Sequence, residues 1–263
     1  MKAKLRIGAL ISGGGSNLQA IIDACEGGRV EGRVVFVGAD NSAARGLGRA
    51  ERHGIPTFVV DYGEIMRATR GAQGPPPPPD FKLEEVVAKQ ALLSADRDPG
   101  EVARFFTSRA VAESRLLAAM AGFDFDLLVL AGFMRNLTPY FIDRVNSVPG
   151  EPRIMNIHPA LLPAFPGVDG YGDTFRYGCK VGGCTVHFID YGEDSGPIIG
   201  QMSFPITPQD TLESVREKGL ALEWQLYPAC IQLFAEGRLK TVRMTYRQPQ
   251  GRTLQRTVVQ IAV

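Results

Sequence analysis

The feature that most constrains this chain is the alternation of short apolar runs with helical patterns through residues 5–157. Apolar strands are expected at residues 5–12, 34–38, 56–60, 125–130 and 154–157. Helices are expected between them, at residues 18–25, 43–53, 102–120 and 138–145. Strands that alternate with helices predict an α/β fold, a doubly wound and mostly parallel sheet with flanking helices.

The pattern changes in the last third of the chain. Residues 184–190 and 198–204 favour two strands joined by a loop rich in Gly and Asp, and residues 211–236 favour a long helix. Residues 242–246 and 257–263 predict a C-terminal β-hairpin around the turn at 248–251. We therefore expect a single domain over residues 1–263, with a C-terminal extension at about 238–263.

A proline-rich stretch interrupts the alternation, and we interpret residues 62–105 as an insertion. Residues 75–79 are five consecutive prolines, a run that adopts an extended polyproline II form. Such a run can be a docking site for an SH3-like partner or a stiff surface spacer. The second use is common, and we favour it.

Composition excludes several classes of protein. The net charge is +1, and Lys and Arg are scattered, so no basic surface for nucleic acid is expected. No apolar run approaches the roughly 20 residues that span a bilayer, and the N-terminus is typical of a first strand, not of a signal peptide. The four cysteines form no CxxC pair, which favours free thiols in the cytoplasm and no zinc site.

A glycine-rich turn, Ser-Gly-Gly-Gly-Ser-Asn at residues 12–17, separates the first strand from the first helix. Glycines let a backbone approach a ligand, and a helix N-terminus attracts phosphate. Gly15, Ser16 and Asn17 are thus candidate phosphate ligands, although a tight turn with a capped helix fits equally well. Leu18 stands where a dinucleotide fingerprint needs glycine, and no Lys-Ser/Thr follows as in a P-loop.

Asn156 and His158 stand at the end of the fifth expected strand. Side chains two residues apart on a strand point the same way, and ligands bind beyond the carboxyl ends of such sheets. An amide N–H can stabilise an oxyanion, and an imidazole can move a proton near neutral pH. The pair is therefore a candidate catalytic centre. A histidine considered alone at this place is more often structural.

The loop at residues 190–197 carries Asp190, Glu193 and Asp194 among glycines. These acids could bind calcium, line a solvated turn or supply a catalytic carboxylate. Their spacing does not match an EF-hand, and composition alone favours the solvated turn.

Four collinear motifs together resemble the phosphoribosylglycinamide formyltransferase family. They are ISGGGSNLQAI at residues 11–21, LAGFMR at 130–135, NIHPALLP at 156–163 and DSGP at 194–197. The resemblance covers about residues 4–237, less the insertion. It implies a Rossmann-like formyltransferase fold and transfer of the formyl group of 10-formyltetrahydrofolate, as co-substrate, to the amine of glycinamide ribonucleotide in purine synthesis.

The resemblance also assigns roles. Asn156 and His158 match the family's catalytic amide and imidazole, and Asp194 matches its catalytic carboxylate. Substrate-binding matches are Gly15, Ser16, Asn17 and Glu223, and folate-binding matches are Arg109, Met134, Arg135, Asn136, Leu137 and Asp190. The amine would attack directly, with the oxyanion held by Asn156 and His158 and with no metal. Asp194, through a water, would move the proton and support a charged His158. His187 fits either a supporting role or a place in the core.

Two departures and three rivals accompany this hypothesis. Residues 168–175 lack the histidine-containing sequence typical of many members, and the match of Arg109 crosses the insertion. A formyltetrahydrofolate deformylase would need no phosphate turn and usually adds an N-terminal regulatory domain. A methionyl-tRNA formyltransferase should carry a basic C-terminal domain. A non-enzymatic sugar-phosphate regulator would not need the three catalytic matches. We expect small-molecule partners only and a monomer or homodimer.

Overall fold

The computed structural model describes residues 3–69, 75–249 and 251–262. Within these ranges the chain forms nine strands and eight helices. The strands are β1 (Leu5–Ile11), β2 (Gly32–Ala39), β3 (Thr57–Val59), β4 (Leu127–Leu130), β5 (Ile154–His158), β6 (Val181–Phe188), β7 (Ile198–Pro205), β8 (Leu239–Arg247) and β9 (Thr253–Ile261). The helices are α1 (Ser16–Glu26), α2 (Leu47–Arg52), α3 (Tyr62–Ala68), α4 (Leu83–Lys89), α5 (Pro99–Met120), α6 (Pro139–Val145), α7 (Gly170–Arg176) and α8 (Leu212–Ala235).

Seven strands form one sheet in the order β3-β2-β1-β4-β5-β6-β7. The first five strands in this order are parallel to one another, whereas β6 is antiparallel to both β5 and β7. The prediction of a doubly wound, mostly parallel sheet is confirmed. The chain moves outward from β1 to β3 and then returns to place β4 on the other side of β1. This reversal opens a crevice at the carboxyl ends of β1 and β4.

The sheet is buried on both faces at its centre, where β4 is apolar at every position. In β4, Leu127 and Val129 belong to the cluster under α1 and α8, whereas Leu128 and Leu130 belong to the cluster under α5 and α6. Successive side chains of a strand point to opposite faces, so a continuous apolar run fills both layers.

Two predicted helices begin three or more residues away from their predicted starts. The second helix was expected from residue 43 and begins at Leu47, because the chain first turns toward β1, where Gly46 N donates to Gly13 O at 3.0 Å. Helix α5 was expected from residue 102 and begins at Pro99. Asp98 caps it by accepting a hydrogen bond from Glu101 N at 2.9 Å. The short helices α3, α4 and α7 were not predicted.

The C-terminal hairpin is confirmed and is longer than predicted. Strands β8 and β9 pair from Leu239↔Ile261 to Arg247↔Thr253. The predicted turn includes Gln250 and the predicted last strand includes Val263, and both residues lie outside the described ranges. Leu239 and Val259 pack against the cluster under α1 and α8, which attaches the hairpin to the sheet.

The stretch predicted as an insertion contains α3, α4 and the first turns of α5. Residues 70–74 of it lie outside the described ranges, and residues 75–78 have no regular secondary structure. Its status as an insertion, like the single-domain organisation, stays a prediction. Among the described residues, no helix combines the length and apolar character that a membrane span requires.

Candidate functional site

A cavity of about 420 Å³ opens at the carboxyl ends of β4 and β5, beside the start of α1. Its walls come from the loop after β4 (132–137), from β5 and the following loop, from the loop at 189–194 and from one face of α8. These are separate segments of the chain, and the strand order of the sheet brings them together.

The turn after β1 has a conformation that only glycine adopts easily. Gly15 has φ 71°, and a Cβ on it would lie 2.7 Å from the Cα of Gly46. No side chain caps α1, so its first N–H groups keep their capacity to bind an anion. Arg49 of α2 adds a positive charge here, since its Nε donates to Gly14 O at 2.8 Å.

Ser12 joins this turn to the loop after β4. Its backbone N–H donates to Gly132 O at 3.0 Å, and its Oγ accepts a hydrogen bond from Met134 N at 2.8 Å. The two loops on either side of the crevice are therefore held in a fixed relation.

Three buried polar groups meet at the side of the cavity next to α1. We call it the acceptor side, because the residues predicted to bind the formyl acceptor lie there. Glu223 of α8 accepts hydrogen bonds from Asn17 Nδ2 at 2.6 Å and from the Tyr171 hydroxyl at 2.7 Å. Burial raises the pKa of Glu223, and its two hydrogen bonds oppose that effect. Asn17 Oδ1 is buried and has no hydrogen-bond partner among the described residues. An acceptor thus remains for a donor group of a ligand.

His158 and Asp194 form a pair in the wall of the cavity. Nδ1 of His158 lies 3.1 Å from Asp194 Oδ2, and its Nε2 lies 2.8 Å from the backbone oxygen of Phe165. Both ring nitrogens face acceptors, an arrangement that suits the charged imidazolium. Burial nevertheless has the larger effect and lowers the pKa of His158, although Asp194 and the Phe165 carbonyl act in the opposite direction.

Asp194 reaches this position through an unusual backbone conformation with φ 49°. Its Oδ2 also accepts a hydrogen bond from Gly167 N at 2.8 Å. Burial by itself would raise the pKa of Asp194, but His187, the charge of His158 and the Gly167 N–H outweigh burial and lower it. The carboxylate form is therefore favoured.

His187 orients the amide of Asn156. The two residues are paired across β5 and β6, and Asn156 Nδ2 lies 3.2 Å from His187 Nε2. The other ring nitrogen, Nδ1, lies 2.9 Å from the backbone oxygen of Phe188, which favours the tautomer with hydrogen on Nδ1. In that tautomer Nε2 accepts from Asn156, and the second amide N–H of Asn156 is left for a ligand.

The loop after β4 lines the side of the cavity next to Asp190. We call it the donor side, because the residues predicted to bind the folate formyl donor lie there. Met134, Arg135, Asn136 and Leu137 all lie in its lining, as does Asp190. Asn136 Nδ2 donates to Glu193 Oε1 at 3.0 Å, which connects this loop to the one that carries Asp194.

Arg109 lies behind the lining. Its guanidinium carbon is 5.8 Å from the centre of the Tyr62 ring, and burial lowers its pKa. Nη1 of Arg109 is buried without a hydrogen-bond partner among the described residues. Arg135 lies over the same ring and bonds the buried Asp40 at 2.5 Å.

Most of the predicted site residues meet at this cavity. Asn156, His158, Asp194, Asn17 and Glu223 line it together with the predicted folate residues after β4. Gly15 and Ser16 lie just outside the lining, and so does Arg109. Their binding roles, like all the roles assigned above, stay predictions.

Sequence reasoning missed Tyr171 and Arg49. Tyr171 lies on α7, within the stretch that departs from the expected histidine-containing sequence, and no local pattern links it to Glu223. Arg49 is one of two arginines on α2, and only the close approach of Gly46 to Gly15 brings it to the turn.

Among the described residues, no group of three or more His, Cys, Asp and Glu side chains is arranged to hold a metal ion.

Comparison with known proteins identifies the family of this chain. The family described as formyl transferase matches residues 5–231. The phosphoribosylglycinamide formyltransferase of Escherichia coli is 32% identical over 236 residues, which cover 90% of each chain. That of Haemophilus influenzae is 32% identical over 235 residues, 89% of each chain.

Longer relatives and solved structures agree with this. The human trifunctional purine biosynthetic protein adenosine-3 is 30% identical over 91% of this chain, which spans only 19% of that protein. Glycinamide ribonucleotide transformylase 1 from Symbiobacterium toebii is 35% identical, with a TM-score of 0.69 and coverage of 100% of this chain and 96% of that one. A formyltetrahydrofolate deformylase from Burkholderia mallei, at 19% identity and a TM-score of 0.68, shares the fold alone. The chain therefore belongs to the formyl transferase family.

Proposed function

We propose that this chain transfers the formyl group of 10-formyltetrahydrofolate to the amine of glycinamide ribonucleotide in purine biosynthesis. One observation carries the proposal. The pair His158–Asp194 and the amide of Asn156 line one cavity, between a buried polar cluster on one side and the loop after β4 on the other. A reaction between two substrates needs such a meeting point. The relatives named phosphoribosylglycinamide formyltransferase match at nearly full length, which supports the same acceptor.

The acceptor side fits a phosphorylated sugar that bears an amine. The uncapped start of α1 and the guanidinium of Arg49 suit a phosphate. Asn17 Oδ1 can accept a hydrogen bond from a ribose hydroxyl or from the amine, and this bond would satisfy its buried lone pairs. Glu223 offers further acceptor capacity beside it.

The donor side fits the ring system of a folate. Leu130, Leu137 and Ile189 supply apolar lining, and the exposed backbone of the loop after β4 supplies polar groups beside it. A few polar groups in an apolar slot are the usual way in which a pocket orients a flat heterocycle. Asp190 and Asn136, at the same side, would add directional hydrogen bonds.

The catalytic residues would act on the formyl group where the two sides meet. Asn156 would donate its free amide N–H, and His158 its Nε2–H, to the oxygen that gains negative charge as the amine attacks. Asp194, held on Nδ1 of His158, stabilises the imidazolium during this step. Asp194 would then take the proton lost by the amine through a water. The same water would pass this proton to N10 of the folate as the bond between N10 and the formyl carbon breaks, which releases tetrahydrofolate. The attack is direct, so no covalent bond to the protein forms.

The proposal is tested by measuring tetrahydrofolate release from 10-formyltetrahydrofolate with and without glycinamide ribonucleotide. Release that requires the acceptor, with formation of formylglycinamide ribonucleotide, is the expected result. Release at the same rate without acceptor would instead identify a hydrolase. No release under either condition, despite binding of the ribonucleotide, would identify a non-enzymatic binding protein.

A further inference from the structure

The residues just before α5 form a compact segment beside the cavity, here called the 80–93 segment. Val86, its buried residue on α4, packs against Phe106 and Ala110 of α5 and against Tyr140 of α6. The partly buried residues Phe81, Leu83, Leu92 and Leu93 join the same cluster. This cluster is distinct from the two that flank the sheet, so the segment is held by apolar contacts of its own.

Asp80 fixes the start of the segment to α6. Its Oδ2 lies 2.6 Å from Arg144 Nη2, and its Oδ1 accepts a hydrogen bond from the Tyr140 hydroxyl at 3.1 Å. The Arg144 guanidinium also lies over the Tyr140 ring, 3.7 Å from its centre. The three side chains thus form one connected contact.

The other end of the segment is joined to the loop that carries Asp194. Ala91 N donates to Tyr191 O at 2.9 Å, and Ala91 forms a parallel bridge with Gly192. Asp143 of α6 connects the segment to this loop. Its carboxylate accepts hydrogen bonds from Lys89 Nζ and from the Tyr191 hydroxyl, each at 2.6 Å. The segment, α6 and the loop at 189–194 therefore form one unit.

Gln90 sets the direction in which the chain leaves α4. Its Oε1 accepts hydrogen bonds from the backbone N–H of Leu92 at 2.8 Å and of Leu93 at 2.7 Å. Its Nε2 donates to Leu93 O at 3.0 Å. This turn orders the backbone at the point where Leu92 enters the lining of the cavity.

We propose that Leu92 is a substrate-contact residue that adds an apolar wall to the donor side of the cavity. Leu92 lies there with Ile189, Gly192 and Asp190. A leucine at this place would pack against the flat, apolar part of the formyl donor and exclude water from it. The inference rests on the proposed function, since it takes the occupant of this side to be a reduced folate.

The experiment compares Leu92→Ala with Leu93→Ala. Leu93 is the matched control because it has the same side chain, lies in the same apolar cluster and does not line the cavity. We expect Leu92→Ala to raise the KM for 10-formyltetrahydrofolate by about fivefold to tenfold, as loss of one apolar contact would. Its kcat and its KM for glycinamide ribonucleotide should stay near wild type. Leu92→Met, which keeps the contact, should restore the donor KM.

An unchanged donor KM in Leu92→Ala would overturn the proposal. An equal rise in Leu93→Ala would do so too, because the segment would then act only by supporting the fold. Hydrogen exchange of the unaltered protein gives an independent test, even if Leu92→Ala does not fold. Tetrahydrofolate should slow hydrogen exchange of the backbone amides at residues 90–93. Equal exchange rates with and without tetrahydrofolate would contradict a contact between Leu92 and the folate. Absence of formyl transfer in the wild type, with this protection present, would reject only the proposed function.

Discussion

Asp194 meets His158 because its backbone adopts φ 49°, a conformation that non-glycine residues rarely take. In this position the carboxylate lies 3.1 Å from His158 Nδ1 and accepts a hydrogen bond from Gly167 N at 2.8 Å. Such a conformation is costly, on the order of 1–3 kcal/mol, and persists only where surrounding contacts enforce it. The contacts here do so, which agrees with a catalytic role.

Replacement of Asp194 by Asn is expected to lower kcat by about 10²-fold to 10⁴-fold, the usual contribution of a proton-transferring group. The amide keeps the shape of the side chain but removes the charge that stabilises an imidazolium at His158. Steady-state kinetics and circular dichroism would measure turnover and folding together.

Asp173→Asn is the control for this change. Asp173 lies on α7 and is paired with Arg176, away from the cavity lining. Its variant should turn over at the wild-type rate. Near-normal turnover of a folded Asp194→Asn protein would remove Asp194 from the mechanism.

The turn between β1 and α1 shows why a glycine-rich sequence matters at the level of an element. Gly15→Ala should destabilise the protein by at least about 1–2 kcal/mol, since an L residue is strained at positive φ. Its Cβ would also lie 2.7 Å from Gly46 Cα, so the contact between this turn and α2 must open. Thermal unfolding should show a loss of about 2–4 °C for each kcal/mol.

Gly14→Ala is the matched control for the turn. A Cβ on Gly14 meets nothing within 4 Å, and its φ lies outside the positive region. The Tm of Gly14→Ala should therefore stay near that of the wild type. Equal losses in the two variants would mean that the conformation of Gly15 is not what the turn depends on.

At the scale of single elements, the sequence predicted the strands and helices that have a clear local spacing of apolar residues. The strands of the parallel sheet and the long helix α8 follow from apolar spacing, and Thr211, the first residue of the predicted helix, is its N-cap. Helices α3, α4 and α7 have only 7 residues each. Helices this short are marginal by themselves and depend on tertiary contacts that no local window contains.

The candidate site divides in the same way. Asn156 and His158 could be found because neighbours on one strand share a face. Asp194 lies 36 residues from His158 along the chain, and composition alone favoured a solvated turn for it. Only the resemblance to a family selected it, since a contact at this separation depends on the order of β5, β6 and β7.

At the scale of the whole molecule, the stability should depend on pH through Glu113. This residue is fully buried on α5 and accepts two hydrogen bonds from Thr138, at the start of α6. Burial raises the pKa of Glu113 from 4.5 to about 7 despite these bonds. The folded state thus holds a proton that the unfolded chain releases between these two values. The contribution of Glu113 to stability is therefore greatest below pH 4.5 and falls as pH rises to about 7.

Glu113→Gln should remove this dependence. At about 1.4 kcal/mol per pKa unit, the wild type should lose about 3 kcal/mol of unfolding free energy relative to the variant across that range. Urea denaturation at several pH values would measure it. Glu101→Gln, an exposed change on the same helix, should show the same pH dependence of stability as the wild type. If the free energies of unfolding of wild type and Glu113→Gln change with pH in parallel, the pH dependence does not come from Glu113.

The contact between His158 Nε2 and the Phe165 carbonyl has a thermodynamic consequence. The free protein contains an internal competitor for the ring nitrogen that would face a substrate. Any ligand atom that bonds Nε2 exchanges one hydrogen bond for another, so it gains only the difference between the two. The affinity of a ligand that bonds this nitrogen therefore depends on the free energy needed to move the Phe165 carbonyl away from it.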